Sequence, residues 1–93
     1  MKDISSIASM FKALGDEGRL QLILELRSGE QSVTSLAEVT GSDTSLVSHR
    51  LKALFIAGLV DKRRKGQQIF YCIRDEHVAN IIINAVDHAS ECD

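Results

Sequence analysis

A chain of 93 residues, 44% hydrophobic and 26% charged, is the length of one domain rather than several. No apolar run approaches the roughly 20 residues that span a bilayer, and Met1-Lys2-Asp3 does not open a signal peptide, so neither a membrane role nor export is expected. The net charge of −2 conceals a division: from His49 to Lys65 six basic residues face the single acid Asp61, while the segments on either side are acidic, which gathers the positive charge as an anion-binding face requires.

In chain order, Ile4, Ile7, Ala8, Phe11 and Leu14 mark a first helix ending at Gly15, and Leu20, Ile23, Leu24 and Leu26 a second, closed by Ser28-Gly29. Val33, Leu36, Ala37 and Val39 mark a short third helix ending at Thr40-Gly41. Ser42 or Asp43 then caps a fourth, with Leu46, Val47, Leu51, Leu54 and Phe55 as its apolar face. From there the period changes to alternation: Leu59–Lys65 and Gln67–Ile73 read as two strands of a hairpin around Lys65-Gly66-Gln67. A final helix follows over Asp75–Glu91, with Val78, Ile81, Ile82, Ala85, Val86 and Ala89 at helical spacing.

That order predicts a mainly α fold with a β-hairpin wing, a winged helix-turn-helix occupying residues 1–93 as one domain. The fourth helix is its recognition helix. Thr44, Ser45, Ser48 and His49 lie on the polar side with groups that reach base edges or phosphates. Arg50, Lys52 and the wing residues Arg63, Arg64, Lys65 and Gln67 would hold the duplex backbone. A bland account also exists for each: exposed serines are common, and charged hairpins guard sheet edges.

The last helix carries a second pattern. His77 and His88 fall on the same edge of its apolar stripe, about three turns or ~16 Å apart at 1.5 Å per residue. Zinc–nitrogen bonds are only about 2 Å, so one copy cannot bring both imidazoles to one ion. Two antiparallel copies can, placing Asp75 and His77 of one chain beside His88 and Glu91 of the other, twice by symmetry. Two imidazoles and two carboxylates suit zinc, with cobalt or nickel also accommodated, and offer no thiolate to a soft ion.

Three stretches together resemble the ArsR/SmtB family of metal-responsive bacterial repressors: FKALGDEGRLQLILEL (Phe11–Leu26), SLVSHRLKALFIAGLV (Ser45–Val60) with the wing RRKGQQIFY, and DEHVANIIINAVDHASE. The resemblance covers nearly the whole chain. It implies a cytoplasmic homodimer, built through its N- and C-terminal helices, that binds an AT-rich inverted-repeat operator. It also implies release by zinc held by Asp75, His77, His88 and Glu91, which turns on efflux or sequestration genes. In the segment Gly29–Glu38, where relatives sensing arsenite, cadmium or lead carry cysteines, this chain has Ser32 and Thr34, so that second site is not expected. Arg50 stands where many relatives have a second histidine.

Two rival functions remain on the sequence. Cys72 and Cys92 form no CxxC pair and fit a reducing compartment, but a winged-helix repressor sensing oxidants would use them. A protein–protein module would use the basic hairpin for an acidic partner. An enzyme, or a binder of a small organic substrate, is not expected, since no glycine-rich phosphate loop or nucleophile-elbow spacing appears.

Overall fold

The computed structural model describes residues 3–91. The elements are α1 (Ile4–Leu14), α2 (Glu17–Glu25), a 3-10 turn (Leu26–Ser28), β1 (Gln31–Ser32), α3 (Val33–Thr40), α4 (Thr44–Ile56), β2 (Val60–Lys65), β3 (Gln68–Ile73) and α5 (Glu76–Glu91). Every helix begins on a short polar side chain that accepts an otherwise unpaired N–H. Asp3 accepts from Ser6, Asp16 from Arg19, Ser32 from Ser35, Asp43 from Leu46 and Asp75 from Val78. Of the two candidate caps for α4, Asp43 is the one used. Gly41 ends α3 in the left-handed region (φ 69°, ψ 24°), which turns the chain directly into α4 and makes the helix-turn-helix.

The core lies where α2, α3, α4 and the root of the sheet meet. Leu22, Ile23, Leu26, Leu36, Val47, Leu51, Leu54, Leu59 and Val60 are fully buried there, and Val78 and Ile82 of α5 close one side. Truncating a leucine in such a site, Leu51 for example, costs about 2–5 kcal/mol. Arg19 ties α1 down, its Nε donating to the Ala13 carbonyl at 2.8 Å near the end of that helix.

The sheet is antiparallel in the order β1-β3-β2. The expected hairpin is present, paired Lys62 with Tyr71, Arg63 with Phe70 and Lys65 with Gln68, so Gln67 lies in the turn rather than the strand. Two features differ from the sequence reading. The second helix tightens into a 3-10 turn from Leu26 onward, and Gln31–Ser32 adds a third strand against Tyr71 and Phe70. Two residues are too few to show a period. This strand is fixed instead by its neighbours, with Gln31 Nε2 donating to the Glu25 carbonyl at 2.8 Å.

Candidate nucleic-acid interface and metal centre

With Val47, Leu51 and Leu54 turned inward, α4 presents Thr44, Ser45, Ser48, His49 and Lys52 to solvent. These are five of the sequence-predicted DNA-contacting residues, on one helix. Arg50 differs. It is half-buried, and its guanidinium lies over Gly18 in the first turn of α2, so that a Cβ at Gly18 would collide with it. Gly18 therefore admits Arg50 between two helices.

The wing's cations have unequal freedom. Lys62 places its Nζ 4.6 Å from the centre of the Phe55 ring, which joins β2 to α4 by a cation–π contact. Arg63 forks onto Glu30, Nε to Oε2 at 2.7 Å and Nη2 to Oε1 at 2.8 Å, and also lies 5.6 Å from the Phe70 ring centre. That hydrogen bonding holds the Glu30 carboxyl below its ordinary value. Arg64 donates from Nε to the Gly66 carbonyl at 3.2 Å, while Lys65 and Gln67 stand exposed at the tip. Of the predicted wing contacts, then, Arg63 already grips an internal carboxylate.

The candidate metal ligands lie toward the two ends of α5. Asp75 Oδ1 accepts the Val78 N–H at 3.0 Å and stands 3.8 Å from His77 Nδ1, whose side chain is 93% exposed. The Val78 N–H is the main cause of a lowered Asp75 pKa, with the neighbouring His77 acting in the same direction. His88 and Glu91 are exposed near the C-terminal end of the same helix. Among the described residues, no three His, Cys, Asp or Glu side chains of one chain come together as a metal cage. Imidazole and carboxylate are suitable donors for zinc, and one chain offers them in two separated halves. Cys72 is half-buried in β3; Cys92 lies outside the described residues.

Three contributors escaped the sequence reading. Glu30 carried no signal, because its partner is 33 residues away. Gly18 did carry one, since a glycine inside the first turn of a helix often marks a close approach. Leu46 was read as core and is instead 40% exposed.

A glycine-turned helix pair, an exposed polar helix and a basic hairpin define a winged helix-turn-helix DNA-binding protein rather than an enzyme. Comparison with known proteins makes this specific. The family model described as bacterial regulatory protein, arsR family, matches residues 16–62. The transcriptional regulator NmtR of Mycobacterium tuberculosis is 40% identical over 85 residues, covering 91% of this chain and 71% of NmtR. The transcriptional repressor SmtB of the same species is 33% identical over 88 residues, covering 95% of this chain and 65% of SmtB, so the chain spans just under two thirds of that relative. Among solved structures, a homodimeric winged helix-turn-helix DNA-binding domain of Mycobacterium bovis superposes with a TM-score of 0.90 at 35% identity, covering 95% of this chain and 82% of that one. The chain belongs to the ArsR family of bacterial regulatory proteins. No helix among the described residues is long and apolar enough to cross a membrane.

Proposed function

We propose that this protein is a cytoplasmic, metal-responsive repressor, a homodimer that binds operator DNA when metal-free and leaves it when zinc, or a similar borderline ion, occupies the edges of paired α5 helices. The observation that carries the reading is the Asp75–His77 pair. An exposed imidazole stands 3.8 Å from a cap carboxylate at one end of α5, with His88 and Glu91 near the other. A second subunit running antiparallel supplies each half with its complement. The bound ion would cross-link the two helices and so favour one dimer geometry over others.

The surfaces for such a dimer are present. On α1 the large apolar side chains Ile4 (76% exposed) and Phe11 (58% exposed) are left largely open by the described residues. An open apolar groove of about 410 Å³ runs between α2 and α5, lined by Leu20, Leu24, Ala85, Val86 and Ala89. Each dimer then carries two copies of α4, which must meet half-sites about one turn apart, near 34 Å.

The test is operator binding with and without zinc, for the native chain and for His88→Ala. We expect zinc to weaken native binding at least tenfold, and His88→Ala to bind metal-free DNA normally without responding to zinc. Zinc that leaves native affinity unchanged refutes the regulatory reading; a His88→Ala variant still released by zinc refutes the ligand assignment. Because a ligating imidazole must be neutral, the zinc response is expected to weaken as the solution is acidified.

A further inference from the structure

We propose that Leu46 is a specificity-determining residue that reads thymine by covering its 5-methyl group in the major groove. The inference rests on α4 being the DNA-reading helix, and adds to it a contact of a different chemical kind.

Leu46 sits in the first turn of α4, beside Thr44 and Ser45 and one residue before the fully buried Val47. Its backbone is pinned, since its N–H donates to Asp43 Oδ1 at 2.8 Å. The side chain nevertheless remains 40% exposed. Most of the other large apolar groups left in solvent lie elsewhere: Ile4, Ile7 and Phe11 on α1 and Ile83 on α5, the helices of the proposed dimer contact, with Ile56 beside Ile7 and Met10 at the far end of α4. Leu46 is the exposed leucine among the hydroxyls at the N-terminal end of the reading helix, the end that enters the groove in helix-turn-helix proteins.

Chemistry narrows what it can meet. A leucine makes no hydrogen bond, so phosphates and the donor and acceptor positions of base edges offer it nothing. The one apolar group on the major-groove edge of a base pair is the thymine methyl. Covering that methyl removes apolar surface from water on both sides, an effect of about fourfold in affinity for one methyl group. Cytosine at the same position leaves Leu46 uncovered. Thr44, Ser45, Ser48 and His49 read hydrogen-bonding groups, while Leu46 separates thymine from the bases that lack its methyl.

The test uses duplexes selected by the full chain from random-sequence DNA, resynthesised with uracil replacing thymine one position at a time. Uracil pairs as thymine does and lacks only the methyl. At one thymine in each half-site, the native protein is expected to bind the uracil duplex about fourfold more weakly. Leu46→Ala is expected to bind the thymine duplex more weakly by a similar factor and to treat thymine and uracil alike at that position. Thermal unfolding, measured alongside, should show at most a modest loss of stability, since the side chain being shortened is 40% exposed, and binding is compared well below the transition. A Leu46→Ala variant that keeps the native thymine-to-uracil ratio overturns the proposal, as does a native chain indifferent to uracil at every position. A chain that binds no duplex at all has a different signature. That result removes the DNA-reading role of α4 itself, and this inference with it.

Discussion

Arg50 owes its position to a residue with no side chain. Its guanidinium occupies the space over Gly18 that a Cβ would need. Alanine is favoured over glycine within a helix by roughly 0.5–1 kcal/mol where room exists. Gly18→Ala is therefore expected to give its full gain in an Arg50→Ala background and a smaller one in the native chain, where the guanidinium must first move aside. Urea unfolding of the four proteins at one fixed concentration measures this, and equal gains in both backgrounds would contradict it. Three carboxylates, two of them helix caps, make a second residue-level prediction. Asp75 is held low chiefly by the Val78 N–H, Glu30 by Arg63 and Asp3 by the Ser6 N–H. Each has a folded-state pKa below its unfolded one. Its contribution is thus complete above the usual carboxylate range and is lost as pH falls through the lower, folded-state value. Melting temperature should hold level near neutrality and decline below about pH 4. Asp75→Asn should show a shallower acid decline, and an unchanged decline would mean that the cap is not titrating with unfolding.

At the level of elements, what the sequence disclosed follows from how local each cause is. The helices announced themselves because their apolar spacing and, for α4, the cap candidate Asp43 lie within a few residues of each other. The hairpin did so through the change to alternation around Gly66. The β1 strand was hidden, since Gln31–Ser32 is defined by its partners Tyr71 and Phe70 rather than by its own pattern. Of the candidate DNA face, Thr44, Ser45, Ser48, His49 and Lys52 could be placed on a polar helix side by counting. That Arg63 would grip Glu30, or that Arg50 would lie across α2, depends on packing between distant segments, which no local window contains. The periodicity also misassigned Leu46, since a residue 100° from the centre of an apolar stripe is buried only if another element covers that edge.

For the whole molecule, the α1 surface is the most direct point of attack. Phe11 is exposed on a helix whose apolar neighbours Ile4 and Ile7 are also uncovered. Phe11→Asp should leave the secondary structure of each chain in place while shifting sedimentation from dimer to monomer and removing operator binding. A variant that stays dimeric at micromolar concentration would place the contact elsewhere. The joint between wing and recognition helix has a consequence of its own. Lys62 lies on the Phe55 ring, the Leu59 N–H donates to the Leu54 carbonyl, and the Arg74 N–H donates to the Leu59 carbonyl. The two parts proposed to touch DNA are thereby joined, the root of the wing to the end of α4. In the proposed dimer, control would then work as on a pair of calipers, by changing the gap between two jaws while the shape of each stays fixed.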